Sequence, residues 1–243
     1  DLSKPLCFLD LTLLRLIWPS AWKSGTTSII ANIIRHSSSL FVANMFTSSE
    51  SASFQVTKRL FDIVDSFSGS TFRSRLPTLA RLRAQGNMIK LLSTSKVIMR
   101  LSYGVLITGY CCIFFAGDLG LAVIDSDVVL GEPTLLVLFA TAGLLSRWSG
   151  TGLALSNQAN FVIEHLTTSL AAVVFLTVMA FVYERLGLYV FPVAQIVSML
   201  AISPFIIRYV YRSMDTSFFQ FERDVFLVAA SVLLFASSVY LLV

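Results

Sequence analysis

Val97-Ile-Met-Arg-Leu-Ser-Tyr-Gly-Val-Leu-Ile-Thr-Gly-Tyr-Cys-Cys-Ile-Phe-Phe-Ala-Gly117 carries a single charge, Arg100, at its start. A helix needs about 20 mostly apolar residues to cross the hydrocarbon of a bilayer, so this run reads as a membrane span. Six further runs share its character, at 24–46, 53–80, 132–157, 162–183, 188–210 and 224–243. The first two are more polar than a helix facing lipid on all sides tolerates, which places them inside a bundle or along a water-filled cavity. Ahead of them Leu9, Leu13 and Leu16 alternate with Asp10 and Arg15, a pattern that fits the tail of a preceding span or, as expected here, an interfacial amphipathic segment over residues 1–23. The expected architecture is all-α, a polytopic bundle of about seven transmembrane helices over 24–243, with no Gly/Ser-rich linker to divide it.

Composition supports this reading. Apolar residues make up 56% of the 243, charged residues 13%, and mean hydropathy is +0.78. A soluble domain has roughly 45–50% apolar and 25% charged residues. A 26.8 kDa globule could not hide the excess, and exposed patches of that size aggregate. The net charge of +4 is not spread as a basic face for nucleic acid. It gathers between spans: Lys4, Arg15 and Lys23 before the first, then Arg81, Arg83, Lys90, Lys96 and Arg100, then Arg208, Arg212 and Arg223. The Thr47–Ser53 link has no cation, and the Asp118–Pro133 link carries Asp118, Asp125, Asp127 and Glu132 without one. The Glu184-Arg185 turn is neutral and the link before Glu164 is silent. Basic links alternate with links free of excess positive charge, as the positive-inside rule requires for seven spans starting in the cytoplasm. The chain opens Asp-Leu-Ser-Lys and stops within an apolar run, the pattern expected of a piece cut from a longer protein.

Charges inside spans mark a pathway or form structural ion pairs. In the first span Ser28, Asn32, Arg35 and Ser39 share a helical face. Arg35 there can take an anion such as phosphate on its forked guanidinium, or pair with an acid on the next helix. On the second span Arg59, Asp62, Ser66, Ser70, Arg73 and Pro77 fall on one stripe, with Lys58 four residues before Asp62. That stripe is either a self-neutralising ion-pair face or part of a path, and Asp62 and Asp65 are the candidates for proton or Na⁺ coupling. Arg147 shares the fourth span with Gly143, Gly150, Thr151, Ala154 and Gln158, and stands alone after about fifteen apolar residues. A cavity role is expected for it, whereas close helix packing accounts for the glycines. Glu164 and His165 are expected at an interface. Pro192 and Pro204 predict a kinked or broken sixth span. The chain has no G-x-S-x-G, H-E-x-x-H or Walker A sequence and no Cys/His spacing for a metal, so no enzyme activity, cofactor or metal is expected.

Leu76-Pro-Thr-Leu-Ala-Arg-Leu-Arg-Ala-Gln-Gly-Asn87 resembles the link of polysaccharide and O-antigen flippases that reads LP-x-LA-x-L-x-A-x-G-D/N. These belong to the superfamily that also holds multidrug/toxin extruders and the lipid II flippase. Trp18-Pro-Ser-Ala-Trp22 through Phe46 looks like that family's seventh helix, and Phe54–Phe72 like its eighth, with Phe54 where the family commonly has Tyr. The likeness covers roughly 15–215. It implies that the chain is one lobe of a two-lobe transporter, the C-terminal half plus one extra helix, whose partner is a missing N-terminal lobe of the same protein. The implied task is to move a lipid-linked oligosaccharide, an undecaprenyl-pyrophosphate-linked sugar unit, across the bacterial inner membrane. Arg35, Arg147 and, more weakly, Arg59 would face the pyrophosphate. The alternatives are a cation-coupled multidrug/toxin exporter of the same architecture, a membrane-embedded ligase or polymerase of envelope assembly, and a structural membrane subunit.

Overall fold

The computed structural model describes residues 11–123, 128–157, 164–214 and 216–242, and the described residues are all-helical, with no strand. Seven long helices occupy the places of the seven apolar runs: α1 (Leu11–Met45), α2 (Ser48–Arg73), α4 (Met88–Val123), α5 (Pro133–Asn157), α6 (Glu164–Leu186), α7 (Val190–Ser213) and α9 (Phe226–Leu242). Two short ones, α3 (Leu76–Ala84) and α8 (Phe218–Glu222), lie in the basic links. Among the described residues two stretches are long and apolar enough to cross a membrane, Met88–Val123 and Glu164–Arg212. The second is a helical hairpin. A 3-10 turn at Gly187–Tyr189, with Gly187 at φ +53°, reverses the chain between α6 and α7, which pack along each other. The other long helices fall short of that test for physical reasons. Polar side chains interrupt α1, α2 and α5, and α9 has 17 residues.

Local sequence sets the boundaries. Thr47 and Glu50 form a reciprocal capping box at the start of α2: the Thr47 amide donates to Glu50 Oε2 at 3.1 Å, and the Glu50 amide to Thr47 Oγ1 at 3.4 Å. That hydrogen bonding holds the exposed Glu50 carboxyl below its ordinary value. The run expected as one span over 53–80 is two helices, because Pro77 has no amide hydrogen to continue a ladder and instead sits in the first turn of α3. α3 closes on Gly86 at φ +69°, with Asn87 N–H to Leu82 O at 3.1 Å and Gly86 N–H to Arg83 O at 2.9 Å, a Schellman ending. Asn87 then caps α4 through Oδ1 and the Lys90 amide at 3.1 Å. Residues 76–87, which carry the flippase resemblance, are thus a short basic helix and a double cap. α1 runs unbroken through Pro19 and residue 23, so the expected boundary there is not an element boundary, and residues 1–10 lie outside the described residues. α7 is likewise continuous. Pro192 lies in its first turn, where a missing N–H is harmless, and the helix carries on through Pro204.

α5 is the hub. It packs against α2, α4, α7 and α9, and residues all around its circumference are buried, including Leu136, Phe139, Ala140, Trp148 and Leu155. The contacts α1–α2, α2–α5, α5–α7, α7–α6 and α6–α1 close a five-helix ring, with α4 and α9 stacked on its α2–α5 side. Aromatic side chains fill the joints: Phe54 lies between Phe139 and Phe191, and Phe114 stacks on Tyr240 with centroids 4.9 Å apart. The outer surface is apolar, with Ile29, Leu40, Phe67, Phe115, Phe181 and Phe235 among many large exposed hydrophobic side chains.

Charge segregates to the two ends of the bundle. Arg75, Arg81, Lys90, Lys96, Arg100, Arg212 and Arg223 cluster where α3, the start of α4, the end of α7 and α8 meet. Lys96 Nζ reaches Asp224 at 3.5 Å and the Gln220 carbonyl at 3.1 Å, and Arg83 donates to the Leu155 carbonyl at 3.3 Å. This last bond ties the end of α5 to the basic end. The opposite end holds Glu50, Asp118, Glu132 and Glu184, where the Tyr189 hydroxyl donates to Glu132 and the Leu130 amide to Asp118 at 3.4 Å.

Candidate functional site

The five-helix ring encloses a cavity of about 330 Å³. Phe54, Phe139, Phe175 and Phe191 give it apolar walls, while Lys58, Asp62 and Asp65 from α2, Ser146 and Ser149 from α5, Glu164 from α6 and Gln195 from α7 give it polar ones. Toward the basic end a second, wider cleft of about 620 Å³ opens between α2, α3, α5 and the start of α6, lined by Arg73, Leu76, Pro77, Arg147, Thr151 and Asn157. Gly150 and Glu164 line both spaces, so the two meet there.

An ion pair stands between the two spaces. Arg147 Nη2 donates to Asp65 Oδ1 at 2.6 Å and to the Asp65 main-chain carbonyl, with Arg147 only 7% exposed and Asp65 43% exposed toward the inner cavity. Arg147 therefore borders the outer cleft and Asp65 the inner one. Arg147 Nε has no hydrogen-bond partner among the described residues. Gly69 makes the room. A methyl group there would lie 2.5 Å from the Arg147 guanidinium, so a larger residue would force the arginine to shift from this position. At Gly150, by contrast, an added methyl meets nothing within 4 Å, because that face of α5 is open. Lys58 Nζ bonds Asp62 Oδ2 at 2.7 Å, the pairing their spacing anticipates. Glu164 accepts from Asn157 Nδ2 at 2.6 Å, and Trp22 sets its ring edge-on to His165 at 6.0 Å.

The five charged residues singled out from the sequence do not converge as free groups. Asp62, Asp65 and Arg147 line the connected cavities and each has a charged partner. Arg59 is exposed on α2. Arg35 lies on α1, and its side chain falls outside the described residues. The face of α1 that lines the cavity is Ala31, Ile34 and Ser38, whereas Ser28 and Asn32 of the expected polar face are exposed. Lys58, Glu164 and Gln195 were not singled out as cavity residues. Each is a polar side chain within an apolar run, which is the signal that could have found them.

Comparison with known proteins finds no matching family, no matching curated protein and no matching solved structure. What this chain does therefore rests on its own geometry. A pair of connected polar cavities inside a helical bundle, with three acids and three bases along their walls, can hold a charged or sugar-like headgroup in a place where bulk water is scarce.

Proposed function

We propose that this chain is the seven-span, C-terminal half of a two-lobe membrane transporter that moves a lipid-linked oligosaccharide across the bacterial inner membrane. The observation that carries the proposal is the pair of polar cavities joined at Gly150 and Glu164 and buried in a bundle whose outside is apolar. Two further features support it. Only 28% of the apolar stretch of α4 and 39% of that in 164–212 is buried within the protein, whereas a core helix of a soluble domain is mostly buried. Sorting of basic residues to one end fits a bundle that stands across a bilayer with that end in the cytoplasm.

In this reading the cleft at the basic end receives the pyrophosphate. Arg73 and Arg147 line it, and a two-pronged guanidinium suits a phosphate. Arg147 would exchange its Asp65 carboxylate for the incoming anion. Arg35 on α1 belongs to the same proposal, with Arg59 weaker because it faces outward. The sugar would cross through the polar interior while the lipid tail stays in the membrane. A second reading is favoured by the inner cavity itself. Asp62, Asp65 and Glu164 outnumber Lys58 along its walls, as a cation-coupled exporter would require.

The test is to express the gene that encodes this chain in a strain lacking its O-antigen flippase and to score long-chain surface polysaccharide. Restoration by the wild type and its loss in a well-expressed Arg147→Ala variant is the expected result. A membrane-inserted protein that restores nothing but lowers drug accumulation in the same cells would overturn the first reading in favour of the second.

A further inference from the structure

Glu222 is 1% exposed, although it sits in the basic link between α7 and α9 where a carboxylate would ordinarily reach water or an arginine. Its surroundings come from four long helices and from α8 itself. The Tyr211 hydroxyl at the end of α7 donates to Oε1, and Oε2 has no hydrogen-bond partner among the described residues. The Trp148 indole from α5 and the Phe226 main chain from α9 border the carboxyl. Trp148 Nε1 is itself unpartnered, as is the buried Tyr103 hydroxyl on α4. Phe218, Phe221 and Phe226 complete an aromatic enclosure around Tyr211 and Trp148.

The charges that face this carboxyl are few. Lys96 on α4 acts on it as a cation, and Lys96 is committed elsewhere: to Asp224 at 3.5 Å, to the Gln220 carbonyl at 3.1 Å, and over the Phe221 ring at 5.6 Å. No salt bridge to Glu222 forms among the described residues. An ionised carboxylate here would be buried without a countercharge, a far more unfavourable state than the neutral acid. Burial accordingly pushes the Glu222 carboxyl above its ordinary value, and the Tyr211 and Lys96 contributions oppose this without cancelling it.

We propose that Glu222 is a proton-binding site that clasps the α8 link to the bundle: protonated, it seats α8 among Tyr211, Trp148 and Phe226, and on ionisation it draws Lys96 away from Asp224 and loosens that seat. The step is a simple release of the carboxylic proton to solvent. It ties the position of the α7–α9 link to pH irrespective of what the cavity carries.

Trp148 is one of three tryptophans, the others being Trp18 and Trp22 on α1. With Trp18→Phe and Trp22→Phe, the emission of the full chain in detergent or nanodiscs reports on the surroundings of Glu222. The expected result is a transition in Trp148 emission with its midpoint above the ordinary carboxylate value of 4.5, lost in Glu222→Gln. Lys96→Met, which keeps the aliphatic stem, should move the midpoint upward because the ionised form loses the favourable charge of Lys96. It serves as the deciding variant if Glu222→Gln does not fold. A transition that survives Glu222→Gln, a midpoint at or below 4.5, or a midpoint that Lys96→Met leaves in place would each overturn the proposal.

Discussion

Replacing Asp65 by asparagine leaves the Arg147 guanidinium, which is only 7% exposed, without its countercharge. Breaking a buried ion pair by removing one partner costs about 3–5 kcal/mol, because the remaining charge loses its compensation. Two features lower that figure here. The Asp65 side chain is 43% exposed to the inner cavity, so the pair is partly screened, and the Asp65 main-chain carbonyl still accepts from Arg147 in the variant. The expected loss is about 1–3 kcal/mol. At about 2–4 °C per kcal/mol for a chain of this length, 2 kcal/mol is about 4–8 °C in the apparent unfolding midpoint at a fixed scan rate. Arg147→Met should be milder, about 1 kcal/mol, since it keeps the aliphatic stem and leaves behind a carboxylate that the cavity can hydrate. The double variant removes both charges, so a coupling of about 1–2 kcal/mol is expected from the full cycle. Thermal unfolding of the four purified proteins in one detergent reads all of this. A coupling within 0.5 kcal/mol of zero, or a greater loss from Arg147→Met than from Asp65→Asn, would refute the reasoning.

Gly69→Ala should destabilise by about 1–3 kcal/mol, since its methyl group must displace the guanidinium, and combining it with Arg147→Met should remove most of that loss in the same thermal assay. Gly150→Cys, in a background with Cys7, Cys111 and Cys112 replaced by serine, should fold normally and react with a small charged thiol reagent, because that face of α5 opens on both cavities. A folded but unreactive protein would mean the junction is dry. Thr47→Ala should cost about 1 kcal/mol by removing the α2 cap, again read by thermal unfolding. Stability should also carry the mark of Glu222. Its folded value lies above 4.5, so the native state binds more protons than the unfolded chain between 4.5 and that folded value, and stability falls as pH rises through this window. Glu222→Gln should flatten that segment of the stability profile.

Much of the fold was legible because hydropathy and the length of a span are local properties. Each of the seven apolar runs became a helix within a few residues of its expected limits, apart from the earlier start of α1, the break in the second run, and α4, which begins nine residues before and ends six residues after the expected 97–117. That break was visible in principle at Pro77. Hydropathy over residues 53–80 does not register it, nor the Gly86-Asn87 double cap that makes 76–84 a helix of its own. The alternation of basic and basic-free links reappears as the two charged ends. Which helices touch was not legible. Helical spacing places Asp65 on α2 and Arg147 on α5, but their pairing across 82 residues depends on Gly69 admitting the guanidinium, which no periodicity encodes. Hydropathy alone leaves Glu222 in a flanking link. The sign of its burial lies in the run Phe218-Phe-Gln-Phe-Glu-Arg-Asp-Val-Phe226, where a carboxyl stands among four phenylalanines.

Everything proposed for the cavities depends on the bundle standing in a membrane with its basic end in the cytoplasm. Single cysteines at two exposed positions, Gln85→Cys beside α3 and Glu184→Cys at the opposite end, in the same cysteine-free background, test this directly with a membrane-impermeant maleimide on intact and permeabilised cells. Labelling of residue 184 in intact cells, with residue 85 reacting only after permeabilisation of the cytoplasmic membrane, is the predicted result. Equal labelling of both in intact cells, or the reverse pattern, would contradict it.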